Sequence, residues 1–462
     1  MGALELRFRA GTIELRGLDE DAEAHCVPCV PSADWLWDRR SACWRAPASA
    51  YATAILALRK AAIEVDDQAR AYEVTAFAEA VWREPRPYQE EAFLAWKKAG
   101  RRAVVVLPTG AGKTHVAVMA MADARRSTLV LVPTLDLLRQ WRGLLAASFG
   151  MSIGALGGGE HRVESITVAT YDSAYAHMEH LGARFGFLVF DEVHHLPSDS
   201  FAMAAKQSLA PFRLGLTATP ERSDGREGDY PDLVGPIAYR RDIVELSGEF
   251  LADYDVERIE VELTPAERER YDEERALYRN FISEERIPIG APDGWSQFLQ
   301  AVARSPAGRR AFEGYLASRQ IAFAASAKLS FLEHLLDRHR HHRAIVFSQD
   351  AATTYAVSRR FLIPAITHET KQAERAHILE GLASGVFSAV ATAKVLNEGV
   401  DVPDANIAIV LSGSGSVREH VQRLGRVLRK REGKRAVLYE LVTAGTSETR
   451  TSERRREHSA YR

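Results

Sequence analysis

Leu107-Pro-Thr-Gly-Ala-Gly-Lys-Thr114 is the stretch on which the reading of this chain turns. It follows the apolar run Ala103-Val-Val-Val-Leu107 and precedes a helical pattern. Strand, Gly-rich turn and helix therefore come in the order of a phosphate-binding loop. The turn's backbone N–H groups point at an anion, and the helix adds the positive end of its dipole. Lys113 is placed to reach the β- and γ-phosphates of a nucleoside triphosphate, and the Thr114 hydroxyl to hold Mg²⁺. Pro108, Thr109, Gly110, Ala111 and Gly112 form the cradle. Leu107 stands where the longer form of the motif has its first glycine. A second apolar run, Phe187-Leu-Val-Phe190, delivers Asp191 and Glu192. An acidic pair at the carboxyl end of a buried strand lies where sites in parallel sheets gather. Asp191 is expected on the metal and Glu192 on the attacking water.

Around these motifs, strand-like and helical patterns alternate twice. Thr128–Val132, Ile166–Ala169 and Arg213–Thr217 join the two runs above as strands of a first sheet. Their uniform apolarity is that of parallel strands buried on both faces. Residues 343–347, 363–366, 388–391, 407–410 and 436–440 repeat the pattern as a second sheet. Before the first sheet, Leu4–Phe8 and Thr12–Arg16 alternate around an Ala10-Gly11 hairpin, with a helix over Ala48–Ala62. Val74–Trp82 reads as a short helical connector. Between the sheets, Thr264-Pro-Ala-Glu267 opens a charged helix, with Pro at N1 and Glu at N3. Pro288, Gly290, Pro292 and Gly294 then break the chain before further helices. This segment reads as a helical insertion belonging to neither sheet. The expected divisions are 1–72, 73–243, 244–324, 325–445 and a basic tail, 446–462.

Composition sets outer bounds. The chain has 462 residues, 46% of them hydrophobic, which is room for several domains with large cores. A net charge of −2 means that nucleic-acid binding must come from local patches. Arg429-Lys-Arg431 and Arg454-Arg-Arg456 are the clearest basic bias, read either as a solvated terminus or as a contact. Three cysteines, with no signal-like or membrane-spanning run, predict a reducing intracellular setting, cytoplasmic and near the nucleoid. His25, Cys26, Cys29 and Cys43 invite a zinc reading. Adjacent His25 and Cys26 are poorly placed to share a tetrahedral ion, so ordinary thiols are expected.

Taken together, the motifs resemble those of superfamily 2 helicases and translocases. The resemblance rests on Pro108-Thr-Gly-Ala-Gly-Lys-Thr114, Asp191-Glu-Val-His-His195, Leu216-Thr-Ala-Thr-Pro220 and Gln422-Arg-Leu-Gly-Arg-Val-Leu-Arg429. Arg86-Pro-Tyr-Gln89 precedes the loop domain, where the family's Gln reads adenine; an amide both donates and accepts, as that base edge requires. Positions 422, 426 and 429 share one helix face. The resemblance makes Arg426 and Arg429 arginine fingers, with Gln422 near the γ-phosphate or water. It places Gly399 and Asp401 at the ribose, and gives His194, Thr217 and Thr219 the coupling of hydrolysis to the nucleic-acid path. Pro133, Thr134, Gln140, Trp141, Thr170, Tyr171, Phe347, Ser348, His368 and Thr370 match positions that face the bound strand; hydroxyls and amides there would bind phosphates without reading sequence.

Within that superfamily the chain most resembles the XPB type, the archaeal and bacterial relatives of the transcription and excision-repair helicase. Asp191–Pro197, Phe361–His368, Gly399–Asn406 and Ser412–Ser416 carry the likeness, with Arg9–Ile13 and Trp44–Ala46 for a small damage-recognition domain. This implies an α/β fold: two RecA-like parallel-sheet domains, a small N-terminal α+β domain and a helical, thumb-like insertion. It also implies a magnesium- and ATP-dependent DNA helicase, moving 3′ to 5′ and acting on single-stranded and duplex junctions. One departure stands out. The family's Arg-Glu-Asp, linked to strand separation, is here Arg222-Ser223-Asp224, with Glu221 and Glu227 as substitute carboxylates. Two rival readings follow: a duplex translocase that melts DNA locally, and an ATP-gated scaffold for a repair nuclease. Restriction-enzyme motors and RNA helicases share the motifs.

Overall fold

The computed structural model describes residues 4–20, 34–81, 83–222, 224–246, 250, 253–291, 293–393, 405–412 and 435–456. The chain divides into two compact units, Met1–Arg241 and Asp242–Arg462.

The first unit opens with a five-stranded sheet: β1 (Leu4–Arg9), β2 (Thr12–Arg16), β3 (Leu36–Asp38), β4 (Cys43–Pro47) and β5 (Val65–Asp67), ordered β3-β4-β2-β1-β5. The β1–β2 hairpin turns on Ala10 and Gly11, both at positive φ, as a two-residue turn demands. The helix Tyr51–Lys60 follows the 3₁₀ turn at Ala48–Ala50, with Tyr51, Ala54, Ile55 and Leu58 buried. Cys43 is buried, 3.2 Å from the Ser41 hydroxyl. His25, Cys26 and Cys29 lie outside the described residues.

An eight-stranded sheet follows: β6 (Arg102–Val106), β7 (Thr128–Val132), β8 (Gly154–Gly157), β9 (Glu160–Arg162), β10 (Ile166–Thr170), β11 (Phe187–Asp191), β12 (Phe212–Thr217) and β13 (Ile237–Arg240). Their order is β13-β6-β12-β11-β7-β10-β8-β9, parallel except for the β8–β9 hairpin. All five strands read from the sequence are here in register. Helices Lys113–Ala124, Leu135–Phe149 and Tyr171–Leu181 connect them.

The expected helical connector at 74–82 is not helical over its described residues, 74–81. Val74 bridges to Arg126, the Thr75 N–H bonds to the Arg125 carbonyl, and the Ala80 and Val81 N–H groups bond to the Ser148 carbonyl. Phe77 is buried against Phe149. The domain edge offers this segment partners that outweigh local helix preference.

The second unit contains β14 (Asp253–Val261), β15 (Ala344–Phe347), β16 (Ala365–Ile366), β17 (Ala389–Thr392), β18 (Ile407–Val410) and β19 (Arg435–Thr443). They form one parallel sheet, β14-β19-β18-β15-β17-β16. Here the sequence reading of 244–324 is corrected. The segment begins with β14, which pairs with β19 over its whole length, so it contributes an edge strand to the second sheet. Its later part is helical as expected, over Pro265–Glu284, Gly294–Arg304 and Pro306–Phe323, around Tyr278, Phe281 and Phe298. Thr264 and Glu267 form the expected capping box.

The helix Ser447–Arg456 is fastened to this unit by a buried ion pair. Lys328 Nζ lies 2.5 Å from Glu448 Oε2 and donates to the Leu411 carbonyl at 2.6 Å, while Glu448 Oε2 also accepts the Thr443 N–H. Removing one partner strands a buried charge, at a cost of about 3–5 kcal/mol. Lys328→Met should therefore lower thermal stability sharply, and Lys328→Met with Glu448→Leu should recover most of it. Melting curves of the two variants check this. Among the described residues, no helix is long and apolar enough to cross a membrane.

Candidate nucleotide site

Gly110 and Gly112 hold the loop open through left-handed φ values of 86° and 76°, and Gly112 is the N-cap of the helix Lys113–Ala124. A side chain at Gly112 would meet the Gln89 amide nitrogen at 2.5 Å. Gln89 is buried behind the loop. Its Oε1 accepts the Arg86 N–H at 3.0 Å, and its Nε2 donates to the Ala111 carbonyl at 2.9 Å. The Tyr88 hydroxyl donates to the same carbonyl at 2.8 Å and accepts from Arg86 Nη1. The Arg86–Gln89 segment thus braces the loop in this structure; both ends of the expected adenine-reading amide are engaged there. Gly112→Ala should strain the turn and displace Gln89 together. Nucleotide affinity should fall at least tenfold, read by titration, while the sheet core keeps its melting temperature within a few degrees.

Lys113 opens the helix, its Nζ 3.3 Å from the Leu107 carbonyl. Asp191 ends β11 and is 7% exposed. Its Oδ2 accepts the indole N–H of Trp141 at 2.7 Å, and its Oδ1 accepts the Glu192 N–H at 3.1 Å. Burial, and then the neighbouring Glu192 charge, push its carboxyl up to about 6, while Trp141 and the Lys113 charge pull the other way. The Lys113 ammonium and the Asp191 carboxylate therefore share one neighbourhood. Glu192 sits at φ 47°, a left-handed conformation costly for a side chain, and only 12% of that side chain is exposed. Its Oε2 makes no hydrogen bond and lies 3.5 Å from His194 Nδ1.

A relay leads away from this pair. His194 Nδ1 is 3.1 Å from Thr217 Oγ1, which is hydrogen-bonded to the carbonyl and N–H of Thr219. Arg222 Nη1 donates to the His194 carbonyl, and its guanidinium grips Asp224 at 2.8 and 2.6 Å. Of the two substitute carboxylates, Glu227 accepts the Arg222 N–H, whereas Glu221 pairs with Arg240. His194, Thr217, Thr219 and the Arg222–Asp224 pair are thus joined to Glu192 through one chain of contacts.

The expected strand-facing residues divide. Thr134 and Thr170 cap the helices Leu135–Phe149 and Tyr171–Leu181, accepting the N–H groups of Leu137 and Ser173. Pro133 is half-buried and His368 exposed, and Thr370 Oγ1 accepts the Thr367 N–H. Tyr171 and Phe347 are 1% and 0% exposed, so a passing strand would meet their backbone and not their rings. The Tyr171 hydroxyl instead donates to the Asp191 carbonyl. Trp141 is likewise reassigned from strand contact to support of Asp191. Ser348 is buried, its hydroxyl 2.6 Å from that of Thr354. Gly399, Asp401, Gln422, Arg426 and Arg429 lie outside the described residues.

These atoms suit a magnesium-bound triphosphate. The cradle leaves no room for a side chain at Gly112, and the Thr109 hydroxyl and Glu192 Oε2 are buried without hydrogen-bond partners. Thr114 and Asp191 supply hard oxygen donors of the kind Mg²⁺ prefers.

Comparison with known proteins agrees. Residues 6–69 match the xeroderma pigmentosum group B helicase damage recognition domain, residues 83–222 the type III restriction enzyme res subunit, and residues 313–460 the ERCC3/RAD25/XPB C-terminal helicase. A DNA 3′-5′ translocase XPB2 of Sulfurisphaera tokodaii is 43% identical over 81% of this chain and 85% of its own length. A DNA 3′-5′ helicase XPB of Kineococcus radiotolerans is 33% identical over 83% of this chain, which spans 63% of that relative. In fold, the chain is similar to the Hef helicase domain of Pyrococcus furiosus, with a TM-score of 0.51 and 20% identity over 80% of this chain and 98% of that one. With XPB domains matched towards both ends and XPB relatives aligned along most of its length, the chain belongs to the XPB type of superfamily 2 helicases.

Proposed function

We propose that this XPB-type chain is a DNA helicase that hydrolyses ATP and moves 3′ to 5′, separating strands at junctions inside the cell. The observation that carries the reading is the meeting of Lys113, Asp191 and Glu192 at the loop and the end of β11, with a relay from Glu192 to Arg222. The relatives, a DNA 3′-5′ translocase and a DNA 3′-5′ helicase by name, supply DNA and the direction.

Lys113 and the loop N–H groups hold the β- and γ-phosphates. Magnesium, when bound, would neutralise charge on the phosphates, with Thr114 and Asp191 as its ligands. Glu192 orients the water and takes its proton. Arg426 and Arg429, with Gln422, are assigned to charge stabilisation on the transferred group by their match to the family helix, and Gly399 and Asp401 to the ribose. Loss of the γ-phosphate changes what Glu192 faces. His194, Thr217 and Thr219 carry that change to Arg222 and Asp224, which take the place of the family's strand-separating motif. Thr134, Thr170, His368 and Thr370 line the strand path, with backbone contributions at Pro133, Tyr171, Phe347 and Ser348.

The test is ATP turnover against single-stranded DNA, duplex DNA and RNA side by side, with displacement from a forked duplex. DNA-stimulated turnover together with displacement from a 3′ tail supports the reading. Turnover with duplex DNA but no displacement would favour a translocase, and absence of DNA stimulation would favour a scaffold.

A further inference from the structure

Inside the first unit, a cavity of about 700 Å³ opens where the helix Tyr51–Lys60 faces the start of the eight-stranded sheet. Trp35, Ala54, Ala57 and Pro231 give it an apolar wall. Arg102, Lys206 and Arg213 give it three cations against two carboxylates, Asp34 and Asp232. Arg102 opens β6 and Arg213 lies near the start of β12. The phosphate loop leaves the far end of β6, about 16 Å along the strand, so this cavity is apart from the nucleotide site.

The cations are not consumed by ion pairs. Arg213 is 1% exposed, and its guanidinium donates only to carbonyls, those of Ala205, Ser208, Ala210 and Leu233. Arg102 donates from Nε and Nη2 to the Val234 and Asp232 carbonyls, which leaves its Nη1 unbonded among the described residues. Lys206 is exposed and makes neither a hydrogen bond nor an ion pair among those residues. Burial, and then the Arg102 charge, bring the Arg213 pKa down to about 9. Carbonyls solvate such a cation without neutralising it, so an anion in the cavity would lower the cost of both charges. Ser49, in the turn before the helix, and Thr53, in its first turn, add hydroxyls that have no hydrogen bond among the described residues.

We propose that this cavity binds a phosphate ester, with the phosphate on Arg102, Lys206 and the Ser49 and Thr53 hydroxyls and the organic part against the apolar wall. A guanidinium and an ammonium are the donors that phosphate oxygens take most strongly. The volume asks for more than a bare anion. At roughly 30 Å³ per water the cavity holds about twenty waters, the scale of a small organic ligand. Asp34 and Asp232, as acceptors, suit the hydroxyls of a sugar phosphate. A free nucleotide and one residue of a DNA strand share that chemistry.

The experiment titrates the full chain with thymidine monophosphate, the dinucleotide d(TpT) and thymidine by calorimetry. Thymidine monophosphate should bind at least about tenfold more tightly than thymidine, as a charge-assisted contact allows. Lys206→Glu should cut that affinity by about tenfold or more and Thr53→Ala by a smaller factor, while Lys206→Arg keeps it. Both side chains are exposed, so these variants should fold. Lys113→Ala should leave the binding unchanged, which separates this cavity from the phosphate loop. Tighter binding of d(TpT), with the same response to Lys206→Glu, would support the site and name a strand as its source. Tighter binding of the monophosphate would name a free nucleotide. Absence of binding by either, an affinity indifferent to Lys206→Glu, or one lost in Lys113→Ala instead would overturn the proposal.

Discussion

Lys113→Ala should reduce DNA-stimulated ATP turnover by about 10²–10³-fold, the usual loss when one preorganised donor to developing charge is removed. The fold should survive. Lys113 is half-buried, and its one hydrogen bond among the described contacts, to the Leu107 carbonyl at 3.3 Å, is long. Losing such a bond costs about 1 kcal/mol or less. The loop keeps its shape through other means: the left-handed Gly110 and Gly112, and the bonds of Gln89 and Tyr88 to the Ala111 carbonyl. Steady-state phosphate release and a melting curve on the same sample make the check. Normal turnover in a folded variant would remove the site assignment. A collapsed melting temperature would show that the lysine holds the loop itself.

The loop and the acidic pair were legible because their chemistry is local. A phosphate cradle needs glycines at fixed offsets, and a parallel strand buried on both faces is continuously apolar, so Ala103–Leu107 and Phe187–Phe190 identify themselves. Partners brought from a distance were harder to read. Trp141 lies fifty positions before Asp191 in the chain and reaches it only because β7 and β11 are neighbours, with the following helix placed above them. The segment 74–81 has helical composition, yet Ser148 and Arg125 claim its N–H groups. Strand β14 was missed because a sheet edge tolerates charge: Arg258 and Glu260 pair with each other at 2.5 Å along a strand whose Ile259 packs on the core.

The second large effect separates two carboxylates that sequence presents as a pair. Glu192→Gln should cut turnover by about 10²–10⁴-fold, the range for a lost general base, with nucleotide affinity nearly unchanged. The assignment follows from their partners. Both Asp191 oxygens are engaged, Oδ2 by Trp141 and Oδ1 by the Glu192 N–H, so this group is fixed in place as a metal ligand should be. Glu192 Oε2 has no hydrogen bond, and the residue is held in a left-handed backbone conformation just past the end of the strand. Such strain persists only when the surroundings enforce it, and at a site it marks a group whose direction matters. Glutamine keeps the size and the backbone, and removes only the ability to take a proton. Asp191→Asn should behave differently, weakening magnesium-dependent nucleotide binding itself. Equilibrium binding and rapid-quench hydrolysis on both variants distinguish the roles. A Glu192→Gln chain that binds ATP, holds it and hardly cleaves it fits a base; one that fails to bind would hand the role to Asp191. Because Glu192 also faces His194, the same variant should stay coupled to ATP binding while losing the release step, so DNA would be gripped through the nucleotide-bound state and unwound poorly.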